Sequence, residues 1–190
     1  MDQLNKVATV LKNGGVVICP TDTVYGFLAD ASSKKAVEKI YNIKKRPKSK
    51  PLSVFVKDFA MAQSLAHIDE LQEKYIKKLW PGKYTFILKR KPSNPSARLR
   101  AGKLYGVDKK TVALRIPKYA FLNNLLKKVN RPLMQTSANI SGKPSLNTIN
   151  DIIKQFGGSD ILIIDGGNLK KSKPSKIFDI SNNNINVLRP

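Results

Sequence analysis

The sequence predicts an α/β fold, an open mixed sheet with helices packed on it, and three observations carry that prediction. Short β-branched runs alternate with amphipathic helical patterns along the chain. The 190 residues, 41% of them hydrophobic, suffice to bury a sizeable core as one domain over 1–190. No internal repeat and no long linker interrupts the alternation.

Leu4, Val7, Ala8 and Leu11 follow helical spacing and stop at Gly14-Gly15. Val16 to Cys19 is a short apolar run that reads as a buried strand, ended by Pro20, which has no N–H to give. Ser32 or Ser33 caps a second helix with Ala36, Val37, Ile40 and Tyr41 on one face. Pro47 closes it by biasing Arg46 away from helical angles. Leu52 to Val56 reads as a strand, and residues 58–79 as two helices, the second carrying Leu71, Ile76 and Leu79. Trp80-Pro81-Gly82 breaks the pattern before the strand Thr85 to Leu88. Residues 91–110, basic and aperiodic, read as an exposed loop of the kind that orders on a ligand. Then come the strand Val112 to Ile116, a helix marked by Phe121, Leu122, Leu125, Leu126 and Val129, and the short strand Leu133 to Thr136. A helix from about Thr148 to Phe156, a strand Ile161 to Ile164 and two terminal strands complete the chain.

Composition bounds the function classes. No apolar run is long enough to span a bilayer, and the first residues lack the apolar core of a signal peptide, so a cytoplasmic protein without membrane contact is expected. Cys19 stands alone inside a strand and fits a buried hydrophobe in a reducing compartment. One His and one Cys exclude a His/Cys zinc cluster. The net charge of +22 favours polyanionic partners such as nucleotide or RNA. Lysines spread over every segment, however, which is also what a compositional bias gives.

Four elements could carry chemistry. Pro20-Thr21-Asp22-Thr23-Val24-Tyr25-Gly26 places hydroxyls, a carboxylate and a phenol at the end of a strand, where α/β sheets bind ligands. Left unpaired such groups are costly, so they are read as occupied, with Tyr25 walling a pocket; a turn bonding its own backbone is the alternative. Lys44-Lys45-Arg46-Pro47-Lys48-Ser49-Lys50 holds five cations in seven residues, suited to phosphate oxygens or to solvent. Thr136-Ser137-Ala138-Asn139-Ile140-Ser141-Gly142 follows a strand with small side chains that let backbone N–H groups approach an anion. Arg115 is a charge inside an apolar strand that needs a partner or a site.

In this order PTDTVYG, KKRPKSKPL, WPGKYTFIL, TVALRIP, TSANISGKP, PSKIFD and VLRP resemble the threonylcarbamoyl-AMP synthase (YrdC-like) family, over Val16 to Arg189. The resemblance implies a twisted open sheet with helices around a large basic cavity. It implies condensation of L-threonine, bicarbonate and ATP to threonylcarbamoyl-AMP with release of pyrophosphate, a nucleotidyl transfer. Partner transferases then pass the threonylcarbamoyl group to tRNA. Carried over by motif, Lys44 and Arg46 face the cavity as catalytic cations, and Lys44, Arg46, Lys50, Thr111, Asn139 and Arg189 bind ATP. Thr23, Arg115, Ser137 and Ser175 bind threonine, with Ser137 and Asn139 at the junction of the two substrates. Mg2+ arrives on the ATP phosphates; no protein metal cage is expected, with Asp22 the nearest carboxylate.

Three departures from the family pattern stand out. Lys176 replaces a threonine in Pro174-Ser175-Lys176, Phe55 stands where some members carry a histidine, and the chain matches the short single-domain form. The main alternative is a non-catalytic RNA-binding module of the same fold. A carbamoyl-transfer domain of hydrogenase maturation factors is less favoured, because its acylphosphatase-like and zinc-finger segments are not visible in the sequence.

Overall fold

In chain order the elements are α1 (Gln3–Lys12), β1 (Val16–Cys19), β2 (Gly26–Asp30), α2 (Lys34–Ile43) and β3 (Ser53–Phe55). Next come α3 (Phe59–Leu65), α4 (Glu70–Leu79), β4 (Tyr84–Lys89), β5 (Thr111–Arg115) and α5 (Ala120–Val129). The chain ends with β6 (Leu133–Ser137), α6 (Ile149–Phe156), β7 (Leu162–Ile163), β8 (Lys176–Asp179) and β9 (Asn186–Arg189). This computed structural model describes residues 2–92, 103–170, 172–182 and 184–190.

The helices start where side chains can satisfy their first N–H groups. Ser33 Oγ accepts from Ala36 N at 3.3 Å to open α2. Asp69 and Gln72 form a reciprocal capping box on α4. Asn130 ends α5 in the left-handed region at φ 54°, a conformation asparagine tolerates.

The strands form one open mixed sheet in the order β7-β1-β2-β6-β3-β5-β4-β8-β9. β1–β7, β3–β5 and β4–β8 pair in parallel, and the remaining neighbours antiparallel. β2 is an addition to the sequence-based expectation, which runs from the Thr-rich loop directly to α2. Gly26-Phe27-Leu28-Ala29-Asp30 is buried throughout, so it shows no polar/apolar alternation to mark it as a strand. Its pairing with β1 turns Pro20–Tyr25 into the connection of an antiparallel pair, and its other edge bonds β6.

Both faces of the sheet are covered, but unequally. On one face, Ile18, Phe27, Ala29, Val54, Met134, Leu114 and Phe86 join side chains of α2, α3, α4 and α6 in a continuous core. On the other, α1 and α5 bury Val17, Cys19, Leu28, Phe55 and Leu133 beneath Leu11, Leu122, Leu125 and Leu126. Burying each such side chain is worth roughly 1.5–3 kcal/mol. Strand side chains alternate between faces, so the residues continuing this second face are Ser53, Gln135, Ala113, Arg115, Thr85 and Ile87. Neither α1 nor α5 covers them, and the bare half-face is the floor of a cleft.

Two local expectations are corrected. Leu71 is 78% exposed and outside the core, because α4 turns Ile76 inward instead. Of the basic stretch 91–110, residues 93–102 lie outside the described residues, and Leu104–Val107 is packed rather than exposed. Tyr105 N donates to Ala31 O at 2.9 Å and Leu52 N to Gly106 O at 2.8 Å, with Leu104 buried.

Candidate active site

The cleft encloses about 250 Å³ over the bare half-face of the sheet. Thr23 and Val24 reach it from the β1–β2 connection, Arg46 and Pro51–Ser53 from the chain entering β3, and Thr85 and Ile87 from β4. Thr111, Ala113 and Arg115 come from β5, Gln135–Ser137 from the end of β6, and Pro174, Ser175, Ile177 and Arg189 from β8 and β9. Thr111 and Arg115 stand at the two ends of one strand, about 13 Å apart at some 3.3 Å per residue. Arg46 sits toward the Thr111 end, where its Nε and Nη2 donate to Lys50 O at 3.0 Å and Pro51 O at 2.9 Å.

The hydroxyls present oxygen lone pairs. Thr21 Oγ1 donates to Val24 O at 2.7 Å and lies 3.0 Å from Thr23 Oγ1. A hydroxyl has one proton, so Thr23 is the donor of that pair, and its lone pairs remain for the cleft. Ser137 likewise spends its proton on Asn139 Oδ1 at 2.7 Å. On the far wall Thr85 Oγ1 and Ser175 Oγ lie 2.9 Å apart, and Arg189 donates through Nε to Ser175 O at 2.7 Å and through Nη2 to Ser175 Oγ at 3.2 Å.

Arg115 is buried, with Nε on Gly82 O at 2.9 Å, Nη2 on Asp22 Oδ1 at 2.6 Å, and its guanidinium 5.5 Å from the centre of the Phe55 ring. Burial pulls its pKa down, and the Asp22 charge opposes that shift. Burial also lowers Arg46 and Arg189. Among the described residues Asp108 is the only carboxylate lining the cleft; the N–H groups of Lys110 and Thr111 hold it below the usual carboxylate range.

Seven expected site residues therefore meet at one cleft: Thr23, Arg46, Thr111, Arg115, Ser137, Ser175 and Arg189. Three do not line it. Lys50 lies at the surface, and its carbonyl instead receives Arg46 Nε. Asn139 is buried and braces its loop, donating to Ile140 O at 3.0 Å and to Lys143 O at 2.5 Å. Lys44 was expected to face the cavity but is 1% exposed. Its ammonium donates to Ser137 O at 2.6 Å, Asn139 O at 2.7 Å and Asn139 Oδ1 at 3.2 Å, which exhausts its three N–H groups. Burial, reinforced by the Arg46 charge, brings its pKa to about 7.

The Thr-rich segment is also corrected. Thr21 bonds its own turn, accepting from Thr23 N at 3.0 Å and Val24 N at 3.2 Å. Asp22 is paired with Arg115. Tyr25 does not wall the cleft; its hydroxyl donates to Gly167 O at 2.7 Å and accepts from Gly166 N at 2.9 Å. Only Thr23 and Val24 of the seven residues reach the cleft. Phe55 packs in the α1/α5 layer beneath Arg115. Sequence reading missed Thr85, Gln135 and Asp108 as cleft residues; strand alternation from Ala113 and Ile87 is the signal that finds the first. Among the described residues the cleft is lined by three arginines, one of them neutralised by Asp22.

A family model, Sua5/YciO/YrdC, described as telomere recombination, matches residues 9–190. A Methanocaldococcus jannaschii protein provisionally named threonylcarbamoyl-AMP synthase is 40% identical, across 99% of this chain and 87% of its own length. The threonylcarbamoyl-AMP synthase of Vibrio vulnificus is 30% identical over 94% of each chain. Among solved structures, Pyrococcus abyssi Sua5 complexed with L-threonine superposes with a TM-score of 0.84 at 32% identity, covering 98% of this chain and 53% of that one. The chain thus spans nearly all of some relatives and about half of others.

Proposed function

We propose, from the fact that this chain belongs to the Sua5/YciO/YrdC family, that it is an enzyme condensing L-threonine, bicarbonate and ATP to threonylcarbamoyl-AMP with release of pyrophosphate. One observation carries the reading. Residues from seven separate motifs converge on one cleft, with a guanidinium and oxygen acceptors at one end and Arg46 at the other.

The threonine carboxylate sits against Arg115, and its amine faces the lone pairs of Thr23 and Ser137. Oxygens that can only accept orient an amine through its N–H groups and leave the nitrogen lone pair outward. The amine adds to bicarbonate, or to CO2 derived from it, and water leaves. A carbamate oxygen then attacks the α-phosphorus of ATP, and pyrophosphate departs. Orientation supplies much of such a rate, so no nucleophilic side chain is required. Arg46 and Arg189 meet the charge that builds on the phosphoryl oxygens. Mg2+ would enter on the ATP phosphates, whose oxygens and water supply most of its ligands. A partner transferase would then pass the threonylcarbamoyl group onward to tRNA.

The test is incubation with 13C-bicarbonate, threonine and Mg-ATP, followed by mass spectrometry of the nucleotides. The reading expects an adenylate carrying threonine and one 13C atom; AMP or unchanged ATP as the sole nucleotide would overturn it.

A further inference from the structure

The Asp22 carboxylate lies outside the cleft lining, yet both of its oxygens are committed at the floor. Oδ1 accepts from Arg115 Nη2 at 2.6 Å and Oδ2 from Lys118 N at 3.0 Å. The side chains of Asp22 and Arg115 are 6% and 2% exposed. With Nε fixed on Gly82 O and the guanidinium over the Phe55 ring, Arg115 is held on three sides. Its Nη1 has no partner among the described residues, and Arg115 is the cation of the cleft wall with a carboxylate against it. Arg46 and Arg189 bond only to carbonyl and hydroxyl oxygens among the described residues.

We propose that Asp22 determines which anion Arg115 accepts. It aims one edge of Arg115 at the ligand and cancels the charge of that guanidinium, so Arg115 takes a carboxylate in preference to a polyphosphate. A close opposite charge removes the long-range attraction that a bare guanidinium exerts on a phosphate chain, while an aimed N–H still makes a directional bond. Arg46, at the other end of the cleft, bonds only to carbonyls among the described residues and remains attractive to phosphates, while Arg189 stands level with Arg115 across β4 and β8. The inference deepens the proposed function and rests on it, since it assigns Arg115 of the same cleft to threonine. Asp22 acts through Arg115 and is a positioning residue.

The experiment is calorimetric titration of L-threonine and, separately, inorganic pyrophosphate into wild type, Asp22→Asn and Asp22→Glu. Asp22→Asn removes the charge at nearly constant shape. It is expected to bind threonine about tenfold more weakly, the scale of one charge-assisted hydrogen bond, and to bind pyrophosphate more tightly than wild type. Asp22→Glu keeps the charge but displaces it, so threonine weakens while pyrophosphate is unchanged; this arm still decides if thermal melting shows Asp22→Asn unfolded. A merely structural role would not strengthen binding of any ligand. Pyrophosphate affinity unaltered in folded Asp22→Asn, or threonine affinity unaltered in Asp22→Glu, would overturn the proposal. Wild type that binds no threonine would overturn the proposed function instead, leaving the pyrophosphate comparison to decide the masking of Arg115.

Discussion

Lys44 shows how a residue type can be legible while its task is not. In the sequence Lys44 and Arg46 form a K-x-R pair, and two cations one residue apart read as joint phosphate ligands. Lys44 N donates to Ile40 O at 3.0 Å at the end of α2, and its side chain points at the loop after β6, whereas Arg46 reaches the cleft. Periodicity cannot separate the two directions, because the chain leaves its helix between them: Lys45 has φ 49°. Lys44 braces the carbonyls beneath Ser137 and Asn139, and its ammonium carries a pKa lowered from 10.5 to about 7. The unfolded chain then binds more protons than the folded one between those values, so burial of the charge costs most below pH 7 and the cost is relieved as pH rises. Against Lys44→Met, wild type should gain relative stability in denaturant titrations from about pH 7 toward pH 10; a difference flat in pH would contradict this origin. Thr23 makes a second residue-scale case. Its hydroxyl donates to Thr21 and, in the proposed threonine complex, accepts from the ligand, so Thr23→Val should raise the KM for threonine about tenfold and leave the KM for ATP little changed. Steady-state kinetics with each substrate varied checks this.

At the scale of elements, helices were the more legible part. Their capping residues and apolar stripes are local, and α1, α2, α5 and α6 lie within a residue or two of where spacing puts them. β2 was not legible, because a strand buried on both faces carries no alternation and here abuts a polar loop. That omission hid the β1–β2 pairing, and with it the reason Thr21, Asp22 and Tyr25 are satisfied by protein atoms. The packing of Leu104–Val107 was hidden too, since it depends on partners far along the chain. Gly106 is its pivot. It sits at φ +70°, accepts from Leu52 N at 2.8 Å and Tyr41 Oη at 3.2 Å, and a Cβ there would meet Val37 Cγ1 at 2.7 Å. Left-handed backbone costs a residue with a Cβ roughly 1–2 kcal/mol, and the contact adds to that. Gly106→Ala should lower unfolding free energy by about 1–3 kcal/mol, read from urea titration, and an unchanged midpoint would contradict the packing described.

For the molecule as a whole, function follows from where helices are missing. α2, α3, α4 and α6 cover one face of a nine-stranded sheet, while α1 and α5 cover part of the other. The rest of that face turns polar residues into the cleft at alternate strand positions, and the chain brings Arg46 and Thr23 to its margins. The seven motifs are spread along the sequence, and the strand order β2-β6-β3-β5-β4-β8-β9 makes them neighbours. Net charge was readable from composition but did not locate the site, since among the described residues the cleft holds three arginines and an aspartate, and lysines are spread along the chain. No described helix is long and apolar enough to cross a membrane. If the proposed function holds, the cleft binds threonine and ATP together and joins them through bicarbonate. The most direct measurement is pyrophosphate release from Mg-ATP by the full chain, with threonine and bicarbonate each omitted in turn. Release should require both and be lost in Arg46→Ala; release independent of threonine, or none with all three present, would rule out the proposed reaction.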